Sequence, residues 1–152
     1  MNFAHTGHTA TVLSSTTGTI ACPTSSATNS CVLIAGGNPT AGQTWEIYDP
    51  LNDAFLTTAS VGHDLVDPQR SLHAAAAFVN GKVLLAGGSN GTSALGTSEV
   101  FDPNAATLGF VTGPGLQLAR VRAAAAYAGA QDVLVLVGGN SVGPSTEQVT
   151  AP

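Results

Sequence analysis

Three glutamates, Glu46, Glu99 and Glu147, stand at one position of a pattern that recurs along the chain. Carboxylates in threes could do general acid–base work or hold a hard cation. A position that recurs with a repeated unit is set by that unit and lies one unit from its equivalents, so the three acids are not expected to converge. They are expected to make structural ion pairs, with Arg70 or Arg120 at the start of a neighbouring unit as partners. His5, His8, His63 and His73 are the only histidines. His8 and His73 share a repeat position, which points to packing or a hydrogen bond to backbone. Cys22 and Cys31 are the only cysteines, without a histidine pair at zinc-ligand spacing. They can form a disulfide closing a short loop, which would imply an oxidising compartment, or remain two free thiols. Trp45 could stack on a sugar, but its place beside Glu46 reads as core. No Ser, His and Asp arrangement suggests a nucleophile. No catalytic residue, metal site or cofactor is assigned.

The elements that must position these residues are announced by diglycines. Val32-Leu33-Ile34-Ala35-Gly36-Gly37, Val83-Leu84-Leu85-Ala86-Gly87-Gly88 and Leu134-Val135-Leu136-Val137-Gly138-Gly139 each end a short apolar run. Gly36, Gly87 and Gly138 are 51 residues apart both times. Such a pair suits positive φ or the close approach of another strand. No Gly-Lys-Ser/Thr or helix follows, as a phosphate loop would require. Before each Val/Leu run lies a stretch of small residues: Thr9-Ala10-Thr11, Ala74 to Ala77 and Ala123 to Ala126. Four alanines in a row also favour helix, but each run is short, is followed by a turn and recurs beside a Val/Leu strand.

In chain order, a strand is expected over His5 to Leu13, then a polar insertion from Ser14 to Ser30 and a strand from Cys31 to Ala35. Thr44 to Tyr48 follows and stops at Asp49-Pro50, with a fourth strand around Ala54 to Thr58. The second set has Ala74 to Val79, a two-residue Asn80-Gly81 hairpin turn, Lys82 to Ala86, Ser98 to Phe101 and Gly109 to Thr112. The third runs from Arg120 through Ala123 to Ala128, a turn near Gly129 to Asp132, Val133 to Val137 and Ser145 to Val149, with no fourth strand.

Four short strands per unit of about 50 residues, with a diglycine after the second, resemble the kelch motif of β-propellers. The likeness is nearest to bacterial kelch repeats, through Arg70-Ser71-Leu72-His73-Ala74, Gly81-Lys82-Val83-Leu84-Leu85-Ala86-Gly87-Gly88 and Glu99-Val100-Phe101-Asp102-Pro103. The first unit has His5 where the arginine is expected, and the third has Ala123 where the histidine is expected. The resemblance implies an all-β, partial kelch-type propeller of about three four-stranded antiparallel blades, the last incomplete: 4–60 with the 14–30 insertion, 68–117 and 118–152. Kelch propellers serve as enzymes, sugar binders and protein scaffolds, and galactose oxidase carries a copper centre on one. Its two tyrosines, two histidines and cysteine find no residue-by-residue match here, so that chemistry is not carried over; the expected role is a binding or interaction module, with a fragment of a galactose-oxidase-type enzyme or a purely structural repeat block as the alternatives.

Composition narrows the partners. Charged residues are 9% of the chain and the formal net charge is −5, so no basic patch exists to neutralise phosphates and nucleic acid is not expected. No apolar run approaches the ~20 residues of a membrane helix. The loops at Ser14 to Ser30, Asn38 to Gln43, Ser89 to Thr97 and Asn140 to Pro144 are rich in Ser, Thr, Asn and Gly, which suits hydrogen bonding to a protein or a carbohydrate. Asn90-Gly91-Thr92 also fits the glycosylation pattern. The low lysine content and the cysteine pair fit an extracellular or periplasmic location. Three blades do not close a ring, so the expected assembly is a homodimer completing six blades, or a fragment of a longer propeller.

Overall fold

The computed structural model describes residues 4–13, 30–37, 45–57, 62–129, 131–139 and 143–150. The described residues contain no helix, and their strands form three sheets, as the repeat requires. The first sheet holds β1 (Thr9–Leu13), β2 (Cys31–Ala35), β3 (Trp45–Asp49) and β4 (Ala54–Thr57), antiparallel in that order. The second holds β6 (Ala74–Ala77), β7 (Val83–Ala86), β8 (Ser98–Phe101) and β9 (Leu108–Thr112). A two-residue strand, β5 (Gly62–His63), joins it in parallel on β9, giving the order β5-β9-β8-β7-β6. The third holds β10 (Ala124–Ala128), β11 (Val133–Val137) and β12 (Thr146–Thr150). These are the blades of a partial propeller. The alanine strands lie innermost: β1 and β10 each run beside β6, where only small side chains fit between converging sheets.

The blades interlock through two apolar layers. Between the first and second, Trp45 is fully buried and meets Phe101 and Phe110 edge-on, with centroids 5.2 and 6.2 Å apart. Leu13, Leu33, Ile47, Val83 and Leu85 fill the layer around them. Between the second and third, Phe78, Leu84 and Val100 pack on Leu134, Leu136 and Val149. Because both faces of the second blade are covered, β7 is buried along its whole length, and the alternation expected of a half-exposed strand disappears.

Several boundaries differ from the sequence expectation, each for a local reason. The first strand begins at Thr9 rather than His5, because Gly7 turns the chain through φ 72°. The Asn80-Gly81 hairpin is a three-residue loop, not a two-residue one. Phe78 N–H donates to the Lys82 carbonyl at 2.9 Å and Gly81 N–H to the Phe78 carbonyl at 3.0 Å. Gly81, at φ 85°, takes the left-handed position that follows a type I turn. The last strand of the second blade starts one residue early, at Leu108, and β5 had no sequence signal at all. The Asp-Pro stops work through the aspartate: Asp49 Oδ1 accepts from Leu51 N–H at 2.9 Å and Asp102 Oδ1 from Asn104 N–H at 2.9 Å, capping each turn.

Candidate functional site

Each glutamate of the repeat is buried, and each meets the residue that opens its own unit, not a neighbouring one. Glu99 Oε1 accepts from Arg70 Nε at 2.9 Å, and Glu147 Oε2 from Arg120 Nε at 3.3 Å. In the first unit His5 substitutes for arginine, with Nε2 3.2 Å from Glu46 Oε2 and Nδ1 2.7 Å from the Gly36 carbonyl oxygen. The expected pairing across units is therefore corrected. A unit's opening residue lies beside its own third strand because the second strand between them ends at the diglycine, whose carbonyl the same cation reaches. Arg70 Nη1 donates to the Gly87 carbonyl and Arg120 Nη1 to that of Gly138. Arg70 and Arg120 are 0% and 1% exposed, so their charges depend on these partners.

The diglycines are the other half of this joint. The six residues have φ between 68° and 95°. A Cβ on Gly87 would lie 2.5 Å from the Arg120 carbonyl oxygen, and Gly88 N–H donates to that same oxygen at 2.6 Å. Gly37 N–H meets the Arg70 carbonyl likewise, at 2.8 Å. The opening arginine thus holds its own blade by its side chain and the preceding blade by its backbone.

His8 and His73, equivalent in sequence, differ in setting. His8 is exposed at the inner end of the first blade, its ring 5.7 Å from that of His5. His73 is buried between the first two blades, with Nε2 2.8 Å from Thr9 Oγ1 and, among the described residues, no partner for Nδ1. Burial, helped by the nearby Arg70 and His8, pushes its pKa down to about 3. The partner found is a side chain of the preceding blade rather than backbone. Tyr48 and Tyr127 lie in different sheets, each donating its hydroxyl to an aspartate five residues on, Asp53 and Asp132, both at 2.8 Å. The bond to Asp53, followed by burial, raises the Tyr48 phenol pKa, and burial, followed by the bond to Asp132, raises that of Tyr127. No cluster of three His, Cys, Asp or Glu with metal-holding geometry occurs among the described residues.

Cys31 is fully buried and disulfide-bonded. Cys22 lies outside the described residues, as do most of the Ser14 to Ser30 insertion, the Asn38 to Gln43 loop and the first part of Asn140 to Pro144.

One cleft is built from side chains that the repeat does not use. Asp67, Pro68 and Gln69, which lead into Arg70, face Asn90 and Thr92 of the Ser89 to Thr97 loop around about 290 Å³. Asn90 Oδ1 accepts from Thr92 N–H, Thr92 Oγ1 and Ser93 N–H at 2.9–3.1 Å, fixing the loop's shape. Asp67 Oδ2 accepts from Arg70 Nη2 at 2.6 Å and from Thr97 Oγ1 at 2.7 Å, tying one wall to the other. This leaves Asp67 Oδ1, the Gln69 amide and Asn90 Nδ2 without a hydrogen bond among the described residues: an acceptor and several donors in a concave polar surface. The loop was expected to be a binding element; Asp67 and Gln69 were missed. The signal that could have found them is a break in the repeat, since Gln117 stands where Asp67 stands one unit earlier.

No curated protein matches the chain. Residues 70–107, from the arginine through the diglycine and the Asp-Pro stop, match the family model for the Kelch motif. That stretch is the second blade, and the three sheets of the described residues are consistent with blades of a partial β-propeller.

Proposed function

We propose that the chain is an interaction module that binds a protein partner through the loops at the Asp67–Asn90 cleft. The observation that carries the reading is the division of labour among polar groups. The buried Arg70–Glu99 and Arg120–Glu147 pairs and the His5–Glu46 contact hold blades together, whereas Gln69, Asn90 Nδ2 and Asp67 Oδ1 line a concavity with hydrogen-bonding capacity to spare. Loops on a rigid scaffold are where binding residues concentrate, and kelch repeats as a class mediate protein interactions. A carbohydrate is the second reading, favoured by a cleft lining of carboxylate, amide and hydroxyl groups that suits sugar hydroxyls. The bonded Cys31 supports an extracellular or periplasmic setting.

The test is a binding screen of the wild-type chain against a displayed peptide library and a saccharide panel, repeated with the Gln69→Ala/Thr92→Ala double variant. Both side chains are exposed, and Thr92→Ala gives up only the Oγ1 bond to Asn90, whose Oδ1 still accepts from the Thr92 and Ser93 N–H groups, so the loop should keep its shape. A ligand bound by the wild type and weakened at least about tenfold in the variant supports the cleft, since removing hydrogen-bond partners from one site typically costs ~1 kcal/mol or more each. Whether that ligand is peptide or saccharide decides between the two readings. Ligands that bind both proteins equally refute the assignment.

A further inference from the structure

In the first unit the arginine's place is taken by a side chain that can lose its charge. Arg70 and Arg120 each aim one nitrogen at the glutamate of their unit and another at the carbonyl of the diglycine's first residue. His5 makes both contacts with one ring, Nδ1 at 2.7 Å from the Gly36 carbonyl oxygen and Nε2 at 3.2 Å from Glu46 Oε2. A carbonyl oxygen and an ionised carboxylate only accept, whereas a neutral imidazole has one N–H and one lone pair. Both contacts are therefore complete only when the pair carries a further proton, and imidazole, the more basic group, is where it sits. Both side chains are 0% exposed, so solvent does not replace a missing bond. The arginines of the other two units never give up their proton.

The same segment carries the link to the second blade. Thr6 N–H donates to the Gly37 carbonyl at 2.7 Å, and the Gly7 carbonyl accepts from Leu72 N–H at 2.7 Å. Leu72 is left-handed, at φ 54°, which costs a leucine energy, so loosening His5 frees the residues that hold it strained. Among the described residues, the titratable and charged groups around the ring are few. They are Glu46 on β3, His8 on the same segment with ring centroids 5.7 Å apart, and, beyond Gly36, Arg70 and His73 from the segment leading into β6. Arg70 is engaged by Glu99 and Asp67, and His73 stays neutral down to about 3, so neither replaces a charge lost at His5.

We propose that His5 and Glu46 form a pH-sensitive latch on the joint between the first and second blades, closed while the ring holds both protons and released as rising pH removes one. The latch goes beyond the loop reading and does not depend on which ligand the cleft takes. Histidine changes its charge between pH 5 and 8, which sets the range to test.

Amide hydrogen exchange of the whole chain, corrected for the intrinsic rate at each pH, reads the latch directly. Thr6 and Leu72 have counterparts in the arginine-opened third unit: Val121 N–H donates to the Gly139 carbonyl at 2.5 Å and Arg122 N–H to the Leu72 carbonyl at 2.8 Å. From pH 5 to 8 the protection of Thr6 and Leu72 relative to Val121 and Arg122 should fall at least about fivefold, as expected for one lost hydrogen bond. His5→Arg should abolish that fall, and His8→Gln should leave it in place. Nitrogen NMR of the wild-type His5 ring, which needs no variant, should show two protonated nitrogens at pH 5 and one at pH 8. A flat protection ratio, a fall that survives in folded His5→Arg, a fall removed by His8→Gln, or a neutral His5 ring at pH 5 would each overturn the proposal.

Discussion

Replacing Glu99 with glutamine removes one charge and exchanges one oxygen for an amide nitrogen, and the structure fixes what that should cost. The carboxylate is 1% exposed and accepts three hydrogen bonds: Val66 N–H at 2.6 Å on Oε2, and Asp67 N–H at 3.1 Å and Arg70 Nε at 2.9 Å on Oε1. Glutamine keeps one acceptor, so its amide nitrogen must face at least one buried N–H, and Arg70 loses its most enclosed counter-charge. Removing one partner of a buried ion pair costs ~3–5 kcal/mol. Asp67 remains 2.6 Å from Arg70 Nη2, which places the expected loss near the lower bound, ~3 kcal/mol. For a chain of this size each kcal/mol moves the midpoint by about 2–4 °C, so Glu99→Gln should melt about 6–12 °C below wild type. The assay is thermal unfolding followed by circular dichroism, run as a cycle with Arg70→Met and the double variant. Because the two residues share one interaction, the double variant should lose at least ~1 kcal/mol less than the sum of the singles. Asp102→Asn serves as the control: its pair with Lys82 is 3.8 Å long with both side chains about one-third exposed, worth ~0.5 kcal/mol or less. A Glu99→Gln midpoint within about 1 °C of wild type, or strictly additive singles, would refute the reasoning.

Two further substitutions test the joints between blades. His73 is held neutral in the folded chain to a pKa of about 3, while an unfolded histidine takes up its proton near 6.5. Between those values the unfolded state binds more protons, so stability is complete above about pH 6.5 and falls as pH drops, by ~1.4 kcal/mol per unit. Unfolding free energies of wild type and His73→Gln, measured from pH 7 to 4.5, should therefore converge as the pH falls; parallel curves would show that His73 does not carry this dependence. Gly87→Ala meets both left-handed strain, ~1–2 kcal/mol, and a methyl 2.5 Å from the Arg120 carbonyl oxygen. It should lower the unfolding free energy by more than ~2 kcal/mol or prevent soluble expression, and a near-wild-type urea midpoint would contradict the close contact.

The architecture was readable because one structural need recurs three times at a fixed distance. A residue pair that must be left-handed and must admit a neighbouring carbonyl can only be diglycine, and Gly36, Gly87 and Gly138 mark it at intervals of 51. Trp45 read as core from its place beside Glu46 in the third strand, and it is fully buried between the first two blades. Less local facts were not readable. Which arginine each glutamate meets depends on where the chain re-enters the blade, which sequence order does not show, and the expectation of a partner in the neighbouring unit was wrong. The Asn80-Gly81 turn was misread by one residue because Asn-Gly serves both a two-residue turn and a type I turn with a left-handed glycine after it. The short parallel β5 has only two residues and no periodicity to show.

The repeat also says where specificity must come from. A residue present in every unit is doing what every unit needs: arginine or histidine against glutamate, glycine against the next carbonyl, alanine at the crowded inner edge. Such positions hold the scaffold and cannot be altered for a ligand without loosening a joint between blades. What can change is what the units do not share. Asp67 and Gln117 occupy one position, but Asp67 bridges Arg70 and Thr97 across the cleft mouth, whereas Gln117 offers its backbone N–H to Glu147 at 2.6 Å. The second blade therefore builds its concave polar surface from the residue that departs from the pattern, directly beside the arginine that obeys it. A ligand held there is read by loop groups positioned to within a hydrogen bond by the most buried ion pair of the blade. Weakening that pair should then reduce binding as well as stability, whereas Gln69→Ala should reduce binding alone.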